Sequence, residues 1–203
     1  ERQQLLRAAG AQVVLTPGTE GMACAIAEAE RLRNSMPNSV ILGQFSNPAN
    51  PEAHSLTTAQ EIWDDTDGEV VAFVAGVGTG GTVSGVGRAL KNRNPEVRVA
   101  AVEPKASPIL QGGSPAPHKI QGIGANFVPD NYDAHVVDEV IGVSDADAMD
   151  AVRELAITEG LFVGISSGAA LCVARQVAMR PEYKDKIIVV LLPDGGERYL
   201  SCL

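Results

Sequence analysis

The chain is short of aromatic residues, at 4%, and holds one tryptophan, three histidines and three cysteines among 203 residues. Cys24, Cys172 and Cys202 cannot all pair with one another, and none lies in a Cys-x-x-Cys arrangement, which argues against a disulfide framework or a thiolate metal site. Cys24 and Cys172 fall in apolar helical patterns and read as small core residues. That usage fits a reducing cytosol. His54, His118 and His135 are scattered, without carboxylates at ligand spacing, which argues against a metal centre. Basic residues are outnumbered, with Lys+Arg 16 against Asp+Glu 25 and a net charge of -9. A nucleic-acid surface needs clustered Lys and Arg to neutralise phosphates, so that class is disfavoured as well. No apolar run reaches the roughly 18 residues of a membrane-spanning helix, and no segment has the build of a signal peptide.

What the chain has is glycine, 21 residues of it in tight clusters, and an alternation of two hydrophobic periods. Leu5, Leu6 and Ala9 suit a helix ended by Gly10. Val13-Val14-Leu15 and Val40-Ile41-Leu42 read as short strands on either side of a helix carrying Met22, Ala25, Ile26, Ala29 and Leu32. Asn47-Pro48-Ala49-Asn50-Pro51 reads as irregular and marks a domain junction. A helix with Leu56, Ala59, Ile62 and a core Trp63 follows. Val70 to Ala75 is a continuous apolar run, as in a strand buried on both faces. A glycine turn, Gly76 to Gly81, leads to a helix over 82–92, then to a strand over 97–102. Residues 104–131 read as a long loop, and one of that length in a compact domain usually serves function. Val136-Val137 opens a strand. Ser144 and Asp147 form a capping box for a helix ended by Gly160. A strand at Leu161-Phe162-Val163, a helix over 167–179 and a buried strand over 187–192 complete the series. Strands alternating with helices imply crossover connections, hence an α/β fold with a mainly parallel sheet covered on both faces.

Ligands in such sheets bind at the carboxyl ends of the strands. Four segments end there: the turn after Ala75, the loop after Glu103, Gly164-Ile165-Ser166-Ser167-Gly168, and Pro193-Asp194-Gly195-Gly196-Glu197-Arg198. In Gly76-Val77-Gly78-Thr79-Gly80-Gly81-Thr82 the glycines bring backbone within reach of a ligand. The following helix adds free N–H groups and its positive dipole end, and Thr79 and Thr82 add hydroxyls; together they make a phosphate cradle. Gly76, Gly78 and Gly81 also match the dinucleotide fingerprint, with Glu103 as the acid on the next strand, so an NAD site stays open on this pattern. No Lys-Ser or Lys-Thr follows, which excludes a Walker loop. Ser166 and Ser167 read as an N-cap, or as a hydroxyl donor to a ring nitrogen. The Gly-x-Ser-x-Gly nucleophile reading lacks a later histidine. Asp194 and Glu197 either orient a ring or cap a turn.

Five motifs occur in order: Gln44-Phe45-Ser46-Asn47-Pro48-Ala49-Asn50-Pro51, Gly78-Thr79-Gly80-Gly81-Thr82, His118-Lys119-Ile120-Gln121-Gly122-Ile123-Gly124-Ala125, Gly164-Ile165-Ser166-Ser167-Gly168 and Gly196-Glu197-Arg198-Tyr199-Leu200-Ser201. Together they resemble the cysteine synthase (O-acetylserine sulfhydrylase) family of fold-type-II pyridoxal 5'-phosphate (PLP) enzymes over nearly the whole chain. Cystathionine β-synthases share the phosphate loop. The resemblance implies a twisted parallel sheet plus part of a second, smaller α/β domain. Residues 1–44 are then the remnant of the smaller mobile domain, with Met22 on its helix, and 45–203 the larger cofactor domain. It also implies that Gly78, Thr79, Gly80, Gly81 and Thr82 hold the cofactor phosphate and that Ser166 faces the pyridine nitrogen. Gln44 and Gly122 approach the substrate, and the loop from His118 to Phe127 takes part in closure.

The implied activity is cysteine formation from O-acetylserine and sulfide in a cytoplasmic homodimer that can bind the C-terminal tail of serine acetyltransferase. Serine, unlike a carboxylate, does not enforce protonation of the ring nitrogen, which favours β-elimination over transamination. The family's Schiff-base lysine and Asn-rich substrate loop have no counterpart here. Lys91, Lys105, Lys119, Lys184 and Lys186 lie outside any such motif, so no catalytic residue is assigned within the chain. The expectation is a piece cut at both ends, inactive alone, with the lysine upstream of Glu1. The alternatives are a cystathionine β-synthase-like enzyme, an NAD-dependent oxidoreductase using Gly76, Gly78, Gly81 and Glu103, and a non-catalytic scaffold that keeps the cradle.

Overall fold

The structure, a computed structural model, describes residues 1–202. Helices α1 (Arg2–Ala8) and α2 (Gly21–Ser35) come first, then α3 (Ala49–Leu56) and α4 (Thr58–Asp65). Strand β1 (Val70–Gly76), helix α5 (Gly81–Arg93) and strand β2 (Arg98–Pro104) form the first crossover unit. Strand β3 (Glu139–Val143), helices α6 (Asp145–Thr158) and α7 (Ile165–Ala178) and strand β4 (Ile187–Val190) follow. The sheet order is β3-β2-β1-β4, and every pair is parallel.

The continuous apolar runs have a direct cause. β1 is packed on both faces, so Ala72 and Val74 look toward α7 while Phe73 and Ala75 look toward α5. On the first side Ala169, Val173 and Val177 of α7 cover the sheet, and on the other Val83, Val86 and Leu90 of α5 do so. Close helix contacts use glycine. A Cβ on Gly85 would lie 2.1 Å from the Pro51 carbonyl of α3, and one on Gly168 would lie 2.1 Å from the Ala148 carbonyl of α6.

β1 is flanked by β2, reached through α5, and on its other edge by β4, reached through α7 on the opposite face. The chain therefore changes direction of winding at β1, and the crevice at the carboxyl ends of β1 and β4 is where such sheets bind ligands. The glycine turn and the Pro193–Arg198 segment both open there.

Several expected elements differ. Val13-Val14-Leu15 and Val40-Ile41-Leu42 are not strands, because no neighbouring strand hydrogen-bonds them among the described residues. Asn47–Pro51 is not irregular throughout. Pro48 caps α3 and Pro51 sits in its first turn, where a missing N–H removes no helical bond. Asn47 Oδ1 accepts the Ala49 N–H at 3.0 Å and steadies that start. The strand expected from Val136 begins at Glu139. Of Leu161-Phe162-Val163 only Val163 pairs, in one antiparallel bridge to Gly195. Pro104 ends β2; the rest of the expected loop, 105–131, has neither helix nor strand and is held by buried polar groups. Ser107, 1% exposed, donates to Asn126 Oδ1 and accepts the Ala116 N–H.

No residue from 1 to 44 is buried; the core lies entirely beyond. No helix among the described residues is long and apolar enough to cross a membrane.

Candidate functional site

The turn after β1 is fixed from both sides. Val77 donates to Val102 O at 2.9 Å, and Gly124 donates back to Val77 O at 3.0 Å. Gly80 caps α5 with φ 81, a left-handed conformation, and the backbone of Tyr132 covers it, 2.8 Å from where a Cβ would stand. A Cβ on Gly81 would meet the Asn50 side chain at 2.0 Å. These glycines are therefore demanded by conformation and by close approach.

The N–H groups of Gly78, Thr79, Gly80 and Thr82 have no acceptor among the described residues. The Thr79 hydroxyl accepts from Asn50 Nδ2 at 2.9 Å and from Gly81 N at 3.3 Å, leaving its own proton to donate outward. Thr82 Oγ1 lies 3.2 Å from His54 Nε2, whose partner nitrogen is 3.0 Å from Thr58 Oγ1. Burial pushes the His54 pKa below its ordinary value, so the imidazole is neutral at pH 7. Unpaired amides at a helix N-terminus, flanked by hydroxyls, are the donor set that binds a phosphate dianion.

Ser166 is 3% exposed and lies in the first turn of α7, just after the Gly164 cap. Its Oγ has no hydrogen-bond partner among the described residues and sits 3.3 Å from where a Cβ on Gly122 would be. Gly122 O, in turn, crowds Gly78. The fold thus brings together three motifs far apart in sequence: the phosphate turn, the His118–Phe127 loop and the α7 cap. A free hydroxyl at one end and free amides at the other fit a phosphorylated heteroaromatic ring. Ser167, the other serine, is fully buried with an unpartnered hydroxyl.

Gln44 joins the assembly through its backbone. Its carbonyl accepts Asn50 Nδ2 at 2.8 Å and Asn131 Nδ2 at 2.9 Å, so Asn50 links Gln44 to Thr79. Phe45 and Phe127 meet edge to face at 5.0 Å, joining this segment to the closure loop. Nothing in the sequence alone assigns Asn50, Asn131, His54 or Tyr132 to the site. Asn50 lies inside a quoted motif, but nothing periodic distinguishes a polar residue that props another.

Glu103 is not available for a ribose. It is 2% exposed and accepts Leu110 N at 2.8 Å and Gln111 Nε2 at 2.9 Å, so both oxygens are engaged in tying down the long loop. The NAD reading loses its acid. Lys91 is ion-paired with Asp138 at 2.8 Å, and Lys105, Lys119, Lys184 and Lys186 are exposed. Among the described residues no group of three His, Cys, Asp or Glu side chains could hold a metal ion.

Comparison with known proteins shows the family. The family described as "Pyridoxal-phosphate dependent enzyme" matches residues 1–194. The chain is 49% identical to cysteine synthase A of Escherichia coli K12, over 99% of its own length and 65% of that protein's. It superposes on the crystal structure of cysteine synthase from Entamoeba histolytica with a TM-score of 0.94 at 44% identity, covering 99% of this chain and 60% of that one. It is also similar to the O-acetylserine dependent cystathionine β-synthase of Helicobacter pylori, with a TM-score of 0.92 at 42% identity, covering 98% of this chain and 64% of that one. The chain thus spans about two thirds of the length of the relatives it matches, or less.

Proposed function

Because this chain belongs to the pyridoxal-phosphate dependent enzyme family, we propose that it contributes the coenzyme-binding part of a cysteine synthase. The reaction is β-replacement: the Cβ–O bond of O-acetylserine breaks, acetate leaves, and a Cβ–S bond to sulfide forms. The observation that carries the reading is the pairing of the free amides of Gly78, Thr79, Gly80 and Thr82 with the free hydroxyl of Ser166 across Gly122.

When bound, the coenzyme supplies an electron sink that lets the substrate Cα proton leave. The residues of this chain bind and orient. Gly78, Thr79, Gly80, Gly81 and Thr82 hold the phosphate through backbone N–H groups and hydroxyls. Ser166 hydrogen-bonds the ring nitrogen without adding a negative charge. Gln44 and Gly122 face the substrate, and the loop over 118–127 closes on it. None of the five lysines of this chain is assigned to anchor the coenzyme or to take the Cα proton. Residues 1–44 belong to the smaller domain and 45–203 to the larger one. A cytoplasmic homodimer and a serine acetyltransferase tail as partner complete the proposal.

The test uses the protein expressed from its complete reading frame. Expected are a visible absorption band with pyridoxal phosphate and cysteine formation from O-acetylserine and sulfide. No band, or saturable nicotinamide binding instead, would overturn it. The likeness to the Helicobacter pylori enzyme supports one second reading, in which homocysteine replaces sulfide as the attacking thiol; comparing kcat/KM for the two nucleophiles separates them.

A further inference from the structure

One polar cluster beside Ser166 has no part in the proposed reaction. Tyr199, only 1% exposed, donates its hydroxyl proton to Asp194 Oδ2 at 2.5 Å. Arg2 stacks on the Tyr199 ring, its guanidinium carbon 4.6 Å from the centroid. Its Nη2 is directed at the Tyr199 hydroxyl and lies 3.4 Å from Asp194 Oδ2, while Nη1 donates to Gln121 Oε1 at 3.0 Å. Glu1 accepts the Ser201 N–H at 3.1 Å and its hydroxyl at 3.3 Å, which braces the same contact. Burial, with Asp194 beside it, pushes the Tyr199 pKa up to about 12, so the hydroxyl stays a donor throughout the physiological range.

The cluster reaches Ser166 from two directions. Asp194 O accepts the Gly164 N–H at 2.9 Å, and Gly196 N donates to Phe162 O at 3.0 Å, binding the 194–199 turn to the segment that enters α7. Asp194 Oδ1, buried without a hydrogen-bond partner, and Tyr199 Cε2 fill the space at Gly164; a Cβ there would stand 2.0 Å and 2.6 Å from them. Gly164 is thereby pressed into place two residues before Ser166. On the other side Arg2 holds Gln121, and the next residue, Gly122, faces Ser166 Oγ.

We propose that Arg2, Asp194 and Tyr199 act as a positioning clamp that sets Ser166 against Gly122, and so fixes how the serine hydroxyl meets the ring of the bound coenzyme. The proposal rests on the pyridoxal-phosphate reading above. Arginine suits the task because its planar fork can stack on the tyrosine and reach two acceptors at once, which the single ammonium of lysine cannot. The phosphate end of the site is held by different residues, so the two ends of the coenzyme are predicted to respond separately.

The test compares Tyr199→Phe, Arg2→Met and Arg2→Lys with wild type in the complete protein. Two signals are read: the visible band of bound pyridoxal phosphate, and stabilisation against thermal unfolding by inorganic phosphate. Expected for Tyr199→Phe and Arg2→Met are a shifted band and a kcat lowered about ten- to a hundredfold, the scale of a misplaced reacting geometry. KM is expected to change less, stabilisation by phosphate is expected to be retained, and Arg2→Lys should recover only part of the loss. An unmoved band and kcat would overturn the clamp. So would a loss of band and phosphate stabilisation together, which marks a merely structural role. A wild type that responds to phosphate but gives no band with pyridoxal phosphate would instead overturn the underlying reading, and the clamp with it.

Discussion

The carbonyl oxygen of Gly122 lies so near Gly78 that a methyl group on the latter would stand 2.5 Å from it. The two residues belong to loops 44 positions apart and are packed backbone to backbone. Gly78→Ala must therefore displace the His118–Phe127 loop, at an expected cost of about 1–3 kcal/mol, the range of overpacked sites. Urea unfolding of the complete protein measures it. A loss below about 0.5 kcal/mol, the scatter of neutral surface changes, would mean that the loop yields freely.

Ser166 governs the charge at the ring. Replacing it by aspartate introduces a carboxylate that favours a protonated ring nitrogen. Ser166→Asp is expected to raise the share of transamination over β-elimination, measured as 3-acetoxypyruvate plus aminated coenzyme against acetate and cysteine. Unchanged partitioning would remove Ser166 from that role.

Asp138 joins β2 to α5. It accepts from Lys91 Nζ at 2.8 Å and Val99 N at 2.7 Å, with Arg98 Nη1 at 3.2 Å. Burial pushes its pKa upward, but the Lys91 hydrogen bond, the Val99 N–H and the two positive charges outweigh it and hold the carboxyl below its ordinary value. A depressed carboxylate stabilises the fold fully above its unfolded pKa, about 3.9, and the contribution fades as pH falls through the lower folded value. Asp138→Asn should be less stable near neutrality and show a shallower loss of Tm on acidification. An acid limb as steep as that of the parent would assign the slope to other groups.

The start of α6 carries a cap visible in the sequence. Ser144 Oγ accepts the Asp147 N–H at 3.2 Å and donates to Asp147 Oδ2 at 2.6 Å. The shorter aspartate meets the cap hydroxyl instead of reaching back to the cap amide, as a glutamate would. Ser144→Ala is expected to cost about 1 kcal/mol, seen as an earlier denaturation midpoint with an unchanged m-value.

Legibility followed burial. Val70–Ala75 announced a central strand because both faces are covered, and Ser144 announced its helix because capping is local chemistry. The glycine turn was readable for the same reason: backbone conformation and close approach restrict it to glycine. Prolines misled at Asn47–Pro51, since their cost in a helix vanishes in its first turn. Val13–Leu15 and Val40–Leu42 misled because an apolar run is a strand only when another strand receives its hydrogen bonds. Asn50, Asn131 and Tyr199 were silent, because their work depends on partners dozens to almost two hundred residues away.

The strand order also bears on synthesis. β1 is made early but takes its second neighbour, β4, only when residues 187–190 emerge from the ribosome. Until then a growing chain has one edge of its central strand bare and the crevice wall beside the glycine turn missing. Parallel pairings between such distant segments form slowly and leave sticky edges exposed meanwhile. The nascent protein should therefore lean on chaperones until β4 has paired with β1, and should acquire its capacity for anions only once that pairing is made.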